Sequence, residues 1–419
     1  MVVSPVHGGL DGPVHRLVDT LPEGEQRPGA LRIAVADVDR TTLYRIADGT
    51  LSPLTGPMTE TVYRQVLERQ AMEVGGSWYA WTIPIFLPIT EAEAAALQNG
   101  VVALLCDSAG HVFGSIEVES VFQRDVSRFL QRVYRTTRVD HPGARMWLAD
   151  KRVWAVGGPI SLLPYRDSRS FADIIQSPRQ VRELIQRHGY QQTIAFQTRN
   201  PLHRAHEYAL VFGAEEILAR HPEKRTGVFL NPLVGELKSD DVPADTRVTT
   251  YRRLVDGRFL GQGDMDEALW QRAGQNLNDQ LHLVGLDMRM FYGGPSEAVM
   301  HAIYRQNLGF THFIVGRKHA DAPYDDGSPI WGDFDAQQAF RGLNGALAIE
   351  TVPVGFAAYF EELGRVCLVE RNVGKTVVNI SGTKMREILR SGQMPDERVM
   401  RRCTAEVLAQ YYQRQPPES

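Results

Sequence analysis

Phe196–Glu207 reads FQTRNPLHRAHE, and the way this stretch is read decides the fold. It follows directly on the apolar run Thr193-Ile194-Ala195-Phe196. It leads into apolar residues at helical spacing: Ala205, Tyr208, Ala209, Val211, Phe212, Ile217 and Leu218. A short apolar run bounded by polar residues reads as a buried strand, and a spacing of three and four reads as a helix. Thr193–Phe196 is therefore predicted to be a strand and His203–Arg220 a helix. The polar residues between them then lie at the carboxyl end of a strand, where open α/β sheets bind their ligands.

Working outward, the same rhythm recurs. Ser177–Gly189 is predicted as a helix, with Pro178 suited to its first turn. Gly227–Asn231 is a strand, Ser296–Asn307 a helix and Thr311–Val315 a strand, and Thr376–Ile380 with Lys384–Arg390 repeats the pair. Such alternation predicts an α/β fold, a parallel sheet covered by helices. Before residue 165 the pattern differs. Apolar runs at Leu31–Val35, Ile83–Leu87, Val101–Cys106 and Val112–Val118 are broken by Gly, Asp, Asn and Pro. They suggest strands and turns, with helices over Thr59–Glu73 and Thr90–Asn99 and a turn at Asp140-His141-Pro142-Gly143. The predicted division is 1–165, 166–335 and 336–419.

At 419 residues the chain is too long for one ordinary core. Lys plus Arg number 46 against 50 Asp plus Glu, so an anion site must be built locally rather than by a general basic surface. That balance speaks against nucleic acid and membrane partners. Cys106, Cys367 and Cys403 are far apart without CxxC spacing, which argues against a disulfide framework or a cysteine zinc site and for reduced, mostly buried thiols. The N-terminus has no apolar h-region and no apolar run is long enough to span a bilayer, so the expected location is cytoplasmic.

The opening stretch carries the chemistry. A helix starting near His203 turns free N–H groups and a positive dipole end towards whatever lies above the strand. Arg199 adds a forked donor array suited to sulfate or phosphate, and Gln197 and Asn200 add neutral donors. His203 and His206 share one face of the first turn. Together they describe an anion site, most simply for a nucleoside triphosphate. Two plainer readings compete: half of a metal site, for which no HExxH or cysteine set is present, or one surface and one capping histidine. The company of Gln197, Arg199 and Asn200 favours the anion site.

Three further stretches share the theme. FIVGRKHA (313–320) is an apolar strand ending in Gly316, where backbone can approach a ligand, followed by Arg317, Lys318 and His319; a solvated basic turn would read the same. In NISGTKMR (379–386), Ser381 or Thr383 can cap a helix whose first turn holds Lys384 and Arg386. Cations oppose the dipole there, a conflict that an anionic ligand removes, although solvated side chains are an equal reading. NPLVGELKSDD (231–241) follows another strand and puts Lys238 and an acidic pair either at a pocket rim or in a plain loop. Neither a Walker A sequence nor GxGxxG is present.

These blocks resemble one family. FQTRNPLHRAHE is similar to the QxRNPxHxxH signature of the ATP sulfurylase (sulfate adenylyltransferase) family, and FIVGRKHA to its GRDHA motif. NPLVGELKSDDVPADTRV, WGDFDAQ and ISGTKMREIL resemble further blocks, as do VHGGL, LSPLTGPM and WTIPIFL near the N-terminus. The resemblance runs nearly end to end. It implies a PUA-like mixed α+β N-terminal domain, a Rossmann-like nucleotidyltransferase domain and a small C-terminal α/β subdomain carrying ISGTKMR. It implies attack of sulfate on the α-phosphorus of ATP, without a covalent intermediate. Mg²⁺ would accompany the nucleotide, with no tightly bound protein metal, and the chain would form a homo-oligomer, a dimer first of all. By the same resemblance Gln197 and Arg199 hold sulfate with the backbone near Ala320. Asn200, His203 and His206 hold the phosphates, with Arg199, Asn200, His203 and His206 as the catalytic set. Gly316 and Arg317 lie beside the nucleoside, and Thr198, Lys318, His319, Ser381, Lys384 and Arg386 complete the binding set.

The chain departs from the family in three places. Lys318 stands where the family has aspartate. The family's RYAGPRE is Phe291-Tyr292-Gly293-Gly294-Pro295-Ser296-Glu297 here and lacks both arginines, with Arg289 nearby as a candidate replacement. The stretch 257–283 is longer than usual and carries a predicted extra helix over Asp266–Gln280. These changes leave a second reading, a related nucleotidyltransferase for another oxyanion, small acid or nucleotide, and a third, a non-catalytic nucleotide sensor. The intact QTRNPLHRAH core speaks against the sensor.

Overall fold

A computed structural model describes residues 3–21, 29–165, 170–235, 241–378, 380 and 382–415. Five parallel strands form its central sheet: β1 (Gln192–Phe196), β2 (Thr226–Leu230), β3 (Leu281–Leu283), β4 (His312–Val315) and β5 (Glu350–Pro353), in the order β3-β2-β1-β4-β5. Ala195 of β1 lies opposite Phe229 on one side and Phe313 on the other. Every residue of β1 and β2 is buried. Strands covered on both faces need such continuous apolar runs, which is why TIAF was legible as a strand. Helix α1 (Arg204–Arg220) follows β1, and α2 (Gly294–Leu308) precedes β4. Strand order reverses between β1 and β4, so the loops leaving them part and open a crevice at the carboxyl ends.

Helix α1 lies close on the sheet at Gly213, where an added Cβ would sit 2.5 Å from Ile314 Cδ1 and 3.0 Å from Ile194 Cδ1. Helix α2 has Pro295 in its first turn and ends at Gly309, whose φ of 97° is the left-handed conformation that glycine accepts cheaply. The helix expected over Ser177–Gly189 is Pro178–Arg187, opened by a capping box between Ser177 and Gln180.

Before residue 165 the described residues form two small sheets of three or more strands and a separate two-stranded hairpin. One holds Arg32–Ala34, Val102–Cys106, Val112–Glu117 and Ile160–Leu162; the other holds Leu87–Ile89, Trp154–Gly157 and Ser120–Gln123. Several expectations are corrected here. Of Ile83–Leu87 only Leu87 is in a strand, since Pro84 has no N–H for a ladder and the Trp81 indole occupies the Ile83 carbonyl. The helix expected over Thr59–Glu73 stops at Arg69; Gln70 turns to φ 53°, and Ala71–Val74 pairs with Ser77–Ala80 around Gly75-Gly76. Asp140–Gly143 is a helix start, with His141 Nδ1 accepting from the Ala144 N–H ahead of Pro142–Ala149. Over Thr90–Asn99 the helix is only Glu91–Ala96, opened by a Thr90–Glu93 capping box.

One apolar core joins this region to the sheet's helices: Trp81, Phe129 and Trp147 pack in the same cluster as Phe291, Tyr292, Met300 and Tyr304. The extra segment is two short helices, Glu267–Arg272 and Leu277–Gln280, broken where Gly274 takes a left-handed φ of 65°. Trp270 and Leu277 seat it in the cluster that holds α1, and it runs straight into the edge strand β3. Beyond β5 comes a small antiparallel sheet of Ala357–Phe360, Arg365–Leu368 and Val377–Val378, then Gly382–Arg390 packed on Arg402–Gln413 through Met385, Leu389 and Leu408. Of the cysteines Cys106 is buried, while Cys367 and Cys403 are only half-buried. Among the described residues no helix is long and apolar enough to cross a membrane.

Candidate active site

The crevice at the β1–β4 switch point holds a cavity of about 380 Å³. The loop after β1 lines it with Gln197, Thr198, Arg199 and Asn200. The start of α1 adds His203, Ala205 and His206, and the exit of β4 adds Gly316, Arg317, Lys318, His319 and Ala320. The two motifs singled out in the sequence thus face each other across one space. Ser381 lies outside the described residues, as do Lys238 and Asp240. Lys384 and Arg386 do not line the cavity; Lys384 pairs with Glu387 at 3.2 Å, and that carboxylate relieves the clash with the helix dipole without a ligand.

The loop after β1 satisfies its backbone inwards and so leaves its side chains for the cavity. Phe196 O and Thr198 O accept from the N–H groups of Asn231 and Leu233, and Tyr251 donates its hydroxyl to Asn200 O. Thr198 Oγ1 donates to Asn200 O at 2.9 Å and accepts the Asn200 N–H at 3.1 Å. The start of α1 is less open than a bare helix end. The Arg204 N–H donates to Val399 O, and those of His206 and Glu207 donate to His203 O. In this first turn only the Ala205 N–H has no acceptor among the described residues.

Arg199 carries the charge of this wall. Its guanidinium lies 3.1 Å from Asp241 Oδ2 and stacks over Tyr292 at 5.2 Å. The acidic residue expected at a rim is therefore a counter-ion that an anionic ligand must displace or share. His203 and His206 stack with centroids 3.9 Å apart. Burial holds His206 down to about 4; burial, and after it the neighbouring His206, holds His203 well below the ordinary histidine range. Both rings are neutral near pH 7, so they serve as hydrogen-bonding groups and not as cations. Gln197 Oε1 and His206 Nδ1 are buried without a partner among the described residues, poised for one that the chain does not supply.

On the other wall, Lys318 and Ala320 hold left-handed φ values of 49° and 57°, costly for residues with a Cβ. The resulting kink sends Lys318 outwards, where Arg317 and Lys318 share Asp333 at 2.8 and 3.6 Å. Arg317 also stacks on Phe356 at 4.8 Å. A Cβ on Gly316 would meet nothing within 4 Å, so the space beside it is the cavity itself.

The altered block near Phe291 proves to face elsewhere. Arg289 is not a replacement pocket arginine: its guanidinium stacks on Trp147 and Phe291 and lies 3.7 Å from Asp39. Phe291 is buried in the N-terminal core, and Ser296 Oγ donates to Val133 O beside a separate cavity of about 140 Å³. Of this block Met290 alone lines the site. The sequence reading missed Met290 and Val354–Ala357 just beyond β5, and it put Asp241 at a rim without pairing it with Arg199. The stretch beyond β5 had a usable signal, because ETVPVG is another apolar strand leaving by glycine. Among the described residues no group of three or more His, Cys, Asp or Glu is placed to hold a metal ion, so the HxxH pair gains no further ligands.

Comparison with known proteins adds the following. The family model described as ATP-sulfurylase matches residues 172–411, and that of a PUA-like domain matches 15–165. The sulfate adenylyltransferase of Pyropia yezoensis is 61% identical over 411 residues, covering 98% of this chain and 97% of its own. That of Carboxydothermus hydrogenoformans is 33% identical over 386 residues, covering 91% and 92%. Among solved structures, the hexameric APS kinase from Thiobacillus denitrificans superposes with a TM-score of 0.69 at 19% identity, over all of this chain and 69% of its own, a likeness of fold.

Proposed function

The chain belongs to the ATP-sulfurylase family, and from that premise we propose that it transfers the adenylyl group of ATP to sulfate, giving adenylyl sulfate and pyrophosphate, or runs the same step in reverse. One observation carries the assignment of the site: a single switch-point cavity gathers Gln197, Thr198, Arg199, Asn200, His203 and His206 of the first motif with the polar residues of GRKHA, and little else that is charged.

The chemistry explains why such walls suffice. A sulfate oxygen forms a bond to the α-phosphorus as the bond from that phosphorus to the β-bridging oxygen breaks, and pyrophosphate leaves with the electron pair. Sulfate is already ionised and the leaving group needs no proton, so no general base is called for. What the protein must do is align two anions that repel each other and stabilise charge on the leaving pyrophosphate. In this reading Arg199 and Gln197 hold sulfate, with the backbone at Ala320 and the free Ala205 N–H close by. Asn200, His203 and His206 donate to the phosphates as neutral groups. Thr198 shapes the loop, and Gly316 and Arg317 flank the nucleoside. Mg²⁺ fits as a metal carried on the phosphates, since the walls offer amides, imidazoles and cations rather than a carboxylate cage; when bound it would neutralise phosphate charge.

Another acceptor anion is the reading that Lys318, Phe291 and Ser296 suggest, but Lys318, which does line the cavity, has its ammonium 3.6 Å from Asp333, and the other two do not line the cavity. The test is pyrophosphate release from ATP with sulfate and with a panel of other oxyanions, in the wild type and in Arg199→Ala. Release that needs sulfate and collapses in the variant supports the reading. Turnover only with another acceptor overturns the sulfate assignment.

A further inference from the structure

Arg204 and Glu207 lie in the first turn of α1, next to the two histidines that line the cavity, yet neither of them lines it. Their side chains meet a different set of partners. Arg204 faces Asp264 fork to fork, with Nε 2.9 Å from Oδ2 and Nη2 2.6 Å from Oδ1. Glu207 Oε2 accepts from Arg401 Nε at 2.6 Å and from the Gly261 N–H at 3.2 Å. Arg401 joins the two pairs: its Nη2 donates to Gln262 O at 2.9 Å and lies 3.6 Å from Asp264 Oδ2. Both carboxylates are fully buried, and the arginine side chains are 12% and 13% exposed. The transfer just described uses none of these four charges.

The first turn of α1 needs an outside hold. Its N-cap, His203, makes no side-chain capping bond, so the local sequence does not close the turn. Arg204 there opposes the helix dipole until Asp264 neutralises it. The anchors come from far along the chain. Gly261, Gln262 and Asp264 belong to the longer stretch 257–283. Arg401 precedes the last helix, and Val399, two residues before it, accepts the Arg204 N–H. The small antiparallel sheet adds the Val366 N–H, which donates to Asp264 Oδ1 at 2.8 Å, and Tyr359, over which Arg204 stacks at 5.1 Å. The loop carrying Gln197 and Arg199 is fastened separately, through Asn231, Leu233 and Tyr251.

We propose that Glu207, Asp264 and Arg401 are positioning residues that aim His203 and His206 at the phosphates, so that the longer stretch 257–283 serves the reaction from behind α1. The proposal rests on the adenylyl-transfer reading of the cavity. Four buried charges add little net stability, because desolvation takes back most of their attraction. What they fix is direction, since forked guanidinium–carboxylate bonds hold a set geometry. Loosening them moves the histidines while Gln197 and Arg199 stay on their own anchors. The sulfate end then keeps its hold and the phosphate end loses alignment, where a misplacement of about 1 Å costs on the order of 10²-fold in rate.

Arg401→Met/Glu207→Gln removes one pair without stranding either charge, and Arg401→Lys keeps the cation. Per ATP-binding site counted by calorimetry, kcat of the double variant should fall roughly 10- to 100-fold. Its KM for ATP should rise about fivefold while that for sulfate stays within about twofold, and Arg401→Lys should recover most of the loss. A merely structural role lowers the number of sites and changes neither constant, so a normal kcat per site with unchanged KM for ATP overturns the proposal. A second readout needs no turnover. In full-length protein labelled with ¹³C-histidine, and with His203→Gln and His206→Gln assigning the signals, the Cε1–H resonances of both rings should move in the double variant; unmoved resonances overturn the proposal. If the double variant does not fold, Asp264→Asn must give the same split of constants and the same movement, and lack of either overturns the proposal. A wild type without sulfate-dependent turnover, whose histidine resonances still move in the variants, would bear out the lattice and count against the adenylyl-transfer reading.

Discussion

The Arg199–Asp241 pair makes a prediction that a simple cation site would not. Arg199 is 21% exposed, Asp241 9%, and they lie 3.1 Å apart. Arg199→Ala removes a charge-assisted donor from the sulfate, a loss of about 1.5–3 kcal/mol. It also strands the Asp241 carboxylate beside a site built for anions. A unit charge roughly 6 Å from the sulfate dianion at an effective dielectric of about 20 adds on the order of 5 kcal/mol of repulsion, of which solvation and screening leave about a third. The two effects together lower kcat/KM by roughly 10²- to 10³-fold. Arg199→Ala/Asp241→Asn keeps the first loss and lacks the second, so it should recover about tenfold over the single variant. Asp241→Asn alone frees the guanidinium from its competitor and should leave the KM for sulfate unchanged or lower. The assay is initial-rate pyrophosphate release against sulfate at saturating ATP, at low and at raised ionic strength. The recovery should shrink as salt screens the stranded charge. A double variant no better than Arg199→Ala, or an Arg199→Ala enzyme within twofold of wild type, refutes the reasoning.

Three further outcomes follow from single contacts. His7 and His141 are buried and held at about 4 by burial; each binds a proton near 6.5 once unfolded, so each withdraws up to roughly 1.4 kcal/mol of stability per pH unit as pH falls from about 6.5 towards 4. Thermal melts of His7→Gln should therefore lose less with acidification than wild-type melts, and parallel curves would show that the ring titrates in the fold. Gly213→Ala drives a Cβ to 2.5 Å from Ile314 Cδ1 and should cost about 1–3 kcal/mol in urea unfolding through overpacking; an unchanged midpoint would contradict the close contact between α1 and the sheet. Phe356→Ala removes the face on which Arg317 stacks and should raise the KM for ATP about fivefold, near 1 kcal/mol, with kcat within twofold; an effect on kcat alone would move Phe356 away from the nucleotide.

Much of the catalytic half was legible because its strands are buried on both faces. TIAF, GVFL and FIV leave no choice but a strand, and the helix after the first of them announces itself by spacing. The N-terminal half was harder for a physical reason. ETVYRQVLERQAMEV keeps a helical pattern past Arg69, and only the pair Gly75-Gly76 shows that its tail folds back as a hairpin. WTIPIF is as apolar as any strand, yet Pro84 and the Trp81 indole occupy the groups that a ladder needs. In the site, the residue types of both motifs point to an anionic ligand, but do not tell that Asp241 holds Arg199 or that the Arg204 N–H is occupied by Val399 O. Asp241 and Val399, which meet Arg199 and the Arg204 N–H, are distant in the chain, and spacing carries no information about them.

Proximity in sequence also misleads about which departures matter. Arg289, Met290 and Phe291 are consecutive, but extended backbone turns neighbouring side chains to opposite sides. Met290 meets the cavity, while Arg289 and Phe291 enter the core around Trp147. Ser296, on the next helix, packs towards Val133 and a different cavity. Lys318 follows Arg317 around a left-handed kink and ends on Asp333 at the rim. Of the altered positions Lys318, Phe291 and Ser296, only Lys318 borders the cavity, with its ammonium on Asp333, and the neighbouring Met290 adds a neutral thioether. Neither opposes an anion held by Gln197 and Arg199. If the acceptor were not sulfate, the cause would have to lie in Met290 or in the Arg199–Asp241 balance, so Met290→Ala and Asp241→Asn are the variants in which acceptor preference should move. Lys318→Asp, which restores the family's carboxylate at a rim already holding Asp333, should leave acceptor preference unchanged and alter only the salt dependence of ATP binding. A switch of acceptor in Lys318→Asp would show that the rim, and not the floor of the crevice, selects the anion.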